Sequence, residues 1–68
     1  MSAKPVHVAK NGDYRAEIYE LGNSKFSVRY FGPDGEGMGR EDAEANGWEG
    51  LASGSVAVKL AKLSQPRK

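Results

Sequence analysis

A chain of 68 residues with no cysteine and one histidine has room for a single domain. It excludes disulfide staples, thiolate metal sites and a histidine-rich zinc site. Ten Lys and Arg against nine Asp and Glu give a net charge of +1, so the total points to no partner. No apolar run approaches the roughly 20 residues of a membrane span, and the first residues lack an apolar signal core, so the expected setting is soluble and cytoplasmic.

A core of this size is marginal, which leaves a homodimer or a bound partner as a source of further stability. The charges are segregated along the chain. Residues 34–49 carry Asp34, Glu36, Glu41, Asp42, Glu44 and Glu49 against Arg40 alone, a net of −5. The remainder carries nine Lys and Arg against Asp13, Glu17 and Glu20, a net of +6. An acidic middle with basic flanks reads either as mutual solvation, since exposed pairs contribute little, or as two faces of opposite sign.

In chain order, residues 1–5 are expected to be a loose arm, because Pro5 cannot donate a ladder hydrogen bond. Val6 to Ala9 reads as a short strand, and Lys10-Asn11-Gly12 as the hairpin turn that follows it. A two-residue Asn11-Gly12 turn would set Val6 and Val8 on the face opposite Ile18. A three-residue loop with left-handed Gly12 pairs Val8 with Tyr14 and Val6 with Ala16, keeps one apolar face, and is the expected register.

The stretch from Asp13 to Phe31 contains two alternating segments around Gly22-Asn23-Ser24. A loop of odd length is needed for Tyr14, Ala16 and Ile18 to share a face with Phe26, Val28 and Tyr30. A three-residue loop pairs Ile18 with Val28, Ala16 with Tyr30 and Glu17 with Arg29, the last an opposite-charge pair. The apolar face then holds Val6, Val8, Tyr14, Ala16, Ile18, Phe26, Val28 and Tyr30. The other holds His7, Arg15, Glu17, Tyr19, Lys25, Ser27, Arg29 and Phe31.

Gly32-Pro33-Asp34-Gly35 is a turn by composition, and residues 32–39 as a whole are expected to be a mobile glycine-rich loop. Arg40 to Asn46 reads as a short helix ended by left-handed Gly47, with Trp48 folding back onto Ala43. Residues 51–63 form the second predicted helix, capped by Ser53 or Ser55, with Val56, Leu60 and Leu63 on one face. Val56, Val58 and Leu60 also alternate as in a strand, but the Ala, Lys and Leu content favours helix. Residues 64–68 are expected to be a flexible basic tail.

Chemical motifs are absent. Gly32, Gly35, Gly37 and Gly39 lack the spacing and the Gly-Lys-Ser/Thr ending of phosphate loops. Asp34, Glu36 and Gly39 match the first, third and sixth places of a calcium loop, but Met38 and Ala45 stand where the fifth and twelfth ligands are needed. No nucleophile elbow occurs, and the carboxylates Glu41, Asp42 and Glu44 are explained by a helix dipole at a predicted N-terminus. The expectation is a protein without catalytic activity, metal or cofactor.

Two surfaces remain. Arg15, Lys25 and Arg29 with Tyr19 and Phe31 combine cations and flat rings on the outer sheet face, a pattern that contacts phosphates and stacks on bases, though Arg and Tyr also suit any strand. Three strands followed by a helix resemble the architecture of AP2-type and integrase N-terminal DNA-binding domains. That resemblance spans about two thirds of the chain, involves no shared motif, and implies nucleic-acid binding through the sheet. The acidic segment offers Glu36, Glu41, Asp42, Glu44, Trp48 and Glu49 to a basic protein surface, with Trp48 either a core plug or an interface anchor.

The near-neutral total weighs toward a protein partner. In style the chain looks like the small inhibitors and accessory proteins of phages and mobile elements, anti-CRISPR proteins among them, which implies protein binding. The sequence therefore predicts an α+β domain: a three-stranded antiparallel meander covered on one face by one or two C-terminal helices. Its predicted role is non-catalytic protein binding, with nucleic-acid binding through the outer sheet face as the alternative.

Overall fold

The computed structural model describes residues 4–65. In chain order the elements are β1 (His7–Asn11), β2 (Tyr14–Gly22), β3 (Lys25–Phe31), β4 (Gly37–Glu44), α1 (Trp48–Ser53) and α2 (Ser55–Ser64). The strands form one antiparallel sheet in the order β1-β2-β3-β4. The helices close one face, α2 packing against β1 and β2. The class is α+β as expected, with a fourth strand before the helices, so the three-strand order of AP2-type domains is not reproduced. Among the described residues no helix is long and apolar enough to cross a membrane.

The β2–β3 hairpin has the predicted register, Ile18 opposite Val28, Ala16 opposite Tyr30 and Glu17 opposite Arg29. Its turn is built differently. Asn23 and Ser24 both have positive φ, 55° and 62°, which is the signature of a two-residue type I′ turn. A register shift between Glu20 and Gly22 takes up the odd residue, leaving Leu21 exposed in the bulge.

The first hairpin departs from expectation. Gly12-Asp13 forms the turn and Asn11 pairs with Tyr14, Ala9 with Ala16 and Val8 with Glu17. Gly12, at φ +63°, supplies the positive φ that a II′ turn places at its first central residue. The change in register is an odd number of residues, so every β1 side chain changes face. Val6 and Val8 are 37% and 38% exposed rather than in the core, whereas His7 and Ala9 turn inward. In this register the Trp48 ring stacks on His7, with centroids 4.2 Å apart and planes 12° from parallel.

Strand β4 replaces the expected mobile loop over 37–39 and the expected helix over 40–46. Pairing with β3 satisfies that strand's outer backbone groups, a tertiary gain that outweighs the helix propensity of Arg40 to Glu44. A shift opposite Tyr30 and Phe31 is accommodated by Gly39 at φ +127°. The connecting turn is held by the Gly32 N–H donating to the Glu36 carbonyl and the Gly35 N–H to the Gly32 carbonyl, each at 3.0 Å. Gly47 is extended, φ −170°, and precedes α1 rather than ending a helix.

The predicted helix over 51–63 is present as two short helices meeting at Gly54. A Cβ there would lie 2.7 Å from the Gly50 carbonyl oxygen, so the bend depends on glycine. Neither serine caps α2 by its side chain; the Ser53 hydroxyl donates to the Glu49 carbonyl instead. The buried core is Ala16, Ile18, Phe26, Val28 and Tyr30 from the sheet with Leu51, Val56 and Leu60 from the helices. Tyr14, Trp48 and Leu63 pack half-buried around it. Of the expected arms, residues 1–3 and 66–68 lie outside the described residues, and Ser64 closes α2.

Candidate binding surface on the open sheet face

Because the helices cover only one face, every second strand residue points to an open surface. Cross-strand partners share a face, so the registers define its rows. One row runs Lys10, Arg15, Phe31; the next runs Val8, Glu17, Arg29, Arg40; a third brings Tyr19, Ser27 and Asp42 together; Lys25 and Glu44 stand opposite each other beyond it.

The predicted residues Arg15, Tyr19, Arg29 and Phe31 do converge here. The Arg15 guanidinium lies 4.3 Å above the Phe31 ring and that of Arg29 5.3 Å above Tyr19. The Tyr19 hydroxyl donates to Glu17 Oε1 at 2.8 Å, and Arg15 Nε donates to Glu17 Oε2 at 3.4 Å. That hydrogen bond from the Tyr19 hydroxyl, then desolvation and the Glu17 charge, raise the Tyr19 pKa against the lowering influence of Arg29 and Arg15. Ser27 is buried beneath its neighbours although it lies on this open face.

Two contributors were not singled out by sequence: Lys10, read as part of a turn, and Arg40, read as part of a helix. With them, each of the four strands supplies one cation, Lys10, Arg15, Arg29 and Arg40, in a stripe across the sheet. Glu17 stands opposite Arg29 and Asp42 beside Arg40 on the same face, so the four cations and two carboxylates leave a net of +2. Arg29 and Arg40 are directly opposite each other. The Ala45 N–H donates to the Ser24 carbonyl at 2.9 Å, and counting back from it makes Arg29–Arg40 a non-hydrogen-bonded pair, the closer kind, with Cα atoms about 4.5 Å apart. Among the described residues neither arginine has a carboxylate partner.

The predicted acidic surface is dispersed by the same alternation. Glu36 lies in the β3–β4 turn, Glu41 on the helix side of β4, Asp42 and Glu44 on the open face, and Glu49 in the first turn of α1. Trp48 is half-buried against His7 and the core. Lys25 sits away from the cation stripe and lines, with Leu21, Asp42, Ala43 and Glu44, an open hollow of about 360 Å³. Among the described residues no cluster of three or more His, Asp or Glu is placed to hold a metal ion. Comparison of the chain with protein-family models, curated proteins and solved structures finds no match.

Proposed function

We propose that this protein is a non-catalytic binding module whose open sheet face holds a single strand of nucleic acid. The observation that carries the reading is the Arg29–Arg40 pair, two cations directly opposite each other, neither in an ion pair among the described residues. Like charges directly opposite on a sheet are destabilising; Glu17 on the far side of Arg29 offsets the conflict in part, and a local conflict retained in a fold is a candidate functional position. A phosphate between the two guanidiniums removes the repulsion and accepts charge-assisted hydrogen bonds from both.

The stripe suits a linear polyanion. Its four cations lie on adjacent strands spaced about 4.8 Å, so together they follow a chain of phosphates across the sheet rather than gripping one point. Stacking on Phe31 and Tyr19 holds Arg15 and Arg29 in place before binding, and the rings lie within reach of bases once phosphates draw the guanidiniums aside. The face is open and flat, which favours contact over chemistry in a water-excluding cleft.

Fluorescence anisotropy of labelled single-stranded DNA and RNA tests this. Four phosphate contacts on a single strand give a log-affinity against log-salt slope of about −3, and each cation removed reduces its magnitude by about 0.7. Absence of binding at low salt, or affinity unaffected by Arg29→Ala and Arg40→Ala, rejects the reading. Protein binding through residues 36–49 stays as a second reading because β4 presents a free edge.

A further inference from the structure

Strand β4 lies at one margin of the sheet. Antiparallel strands direct their backbone groups alternately to either side. The Ala45 N–H bonds to Ser24 on β3, so the N–H and C=O of Arg40, Asp42 and Glu44 face away from β3, into solvent. The opposite margin, β1, is five residues long and has α2 packed against it. β4 runs eight residues without proline or lysine, all exposed except Ala43. A row of unpaired backbone groups on a long edge is a template for another strand.

Charge selects among possible occupants. Antiparallel pairing of two β4 strands about a two-fold axis sets one residue against its own twin. Each register centred on residues 40–44 opposes like charges: Arg40, Glu41, Asp42 or Glu44 meets its own twin, and the one centred on Ala43 sets Asp42 against Glu44, so a second copy paired over this run meets a like-charge conflict. A basic extended segment does not. The open-face side chains of this edge, Asp42 and Glu44, also line the hollow that runs inward to Lys25 and Leu21, with two carboxylates against one ammonium. A lysine or arginine on an added strand, opposite Asp42 or Glu44, brings its head to these carboxylates on the open face.

We infer that β4 accepts an extended segment of a partner protein as a fifth strand, and that the segment carries Lys or Arg at alternate positions facing Asp42 and Glu44. Main-chain hydrogen bonds supply affinity and the alternate side chains specificity. The inference stands on the edge of the sheet and is separate from the reading of its open face.

The test uses a short end-blocked peptide of alternating lysine and threonine, a glutamate counterpart, and amide hydrogen exchange on the intact protein. The lysine peptide is expected to slow exchange at Arg40, Asp42 and Glu44, and the glutamate peptide to leave it unchanged. Asp42→Pro removes an outward N–H without a β3 ladder bond and is expected to weaken binding by about tenfold or more; Asp42→Asn, which keeps the N–H, weakens it less. Arg29→Ala leaves peptide affinity unchanged, which separates this site from the nucleic-acid face. Equal binding of both peptides, unchanged exchange at the three amides, or indifference to Asp42→Pro overturns the inference. Should Asp42→Pro fail to fold, the exchange pattern of the unaltered protein decides. Protection of the three amides by self-association without peptide assigns the edge to a second copy and overturns it equally.

Discussion

The Tyr30 hydroxyl donates a 2.8 Å hydrogen bond to Glu41 Oε1, joining a fully buried core ring to the outermost strand. Lys59 of α2 places its ammonium 5.5 Å from the centre of the same ring. One side chain thus links the core, the sheet edge and the last helix.

Tyr30→Phe keeps the ring and removes this bond. Glu41 is exposed and rehydrates, so the expected cost is about 1 kcal/mol, a fall of roughly 4–8 °C in Tm for a domain of this size. The pH dependence changes as well. Burial first, then the hydrogen bond to Glu41 and its charge, push the Tyr30 phenol far above its ordinary value of 10.0. The folded state therefore holds a proton that the unfolded chain releases, and stability is lost as pH rises from about 10 upward. Urea unfolding on either side of about pH 10 is expected to show a shallower loss for Tyr30→Phe than for the parent. Tyr19, also raised, keeps a residual slope in the same direction.

Arg40→Gln separates stability from binding. Removing one of two opposed cations is expected to raise stability by a few tenths of a kcal/mol, more at low salt than at high. The same change weakens nucleic-acid binding and reduces the magnitude of the salt slope by about 0.7. Thermal melts and anisotropy on one protein sample measure both; a stability loss would contradict the account of the Arg29–Arg40 pair.

Ser24→Gly addresses the β2–β3 turn. Serine at φ 62° occupies a region that costs an L-residue about 1 kcal/mol, whereas glycine adopts it freely. Glycine also enlarges the unfolded ensemble, so the net gain expected is about 0.5 kcal/mol, read from denaturant midpoints.

The His7–Trp48 stack is open to a double-mutant cycle. Trp48→Ala removes a large half-buried ring, at an expected cost of about 2–4 kcal/mol, and His7→Ala costs about 1 kcal/mol. The coupling between them is expected at about 0.5–1.5 kcal/mol. Strict additivity of the two losses would mean that the stack adds nothing beyond area.

The faces of β2 and β3 were legible because parity constrains them: only an even difference between paired positions puts Ile18, Val28 and Tyr30 together, whatever turn closes the hairpin. A type I′ turn with a bulge at Leu21 and a three-residue loop satisfy that parity equally. Strand β1 was legible as a strand but its register was not: the inward place of His7 goes with a ring 41 positions away, Trp48. Strand β4 was hidden for a related reason. Arg40 to Glu44 is good helix sequence taken alone, and only the unfilled edge of β3 makes it a strand. That misassignment removed Arg40 from the candidate site and made an alternating acidic strand look like one acidic patch.

All four strands join their sequence neighbours through short hairpins, while α2 returns to β1 and β2 from the far end of the chain. The sheet is therefore built from low-separation contacts that close cheaply, and the helix docking that seals Ile18 and Val28 carries the longest loop closure. During synthesis the hairpins can emerge and pair while their apolar face is still bare. The core is completed only when Val56 and Leu60 arrive, so the interval before they dock is when the nascent chain is most prone to association with other chains.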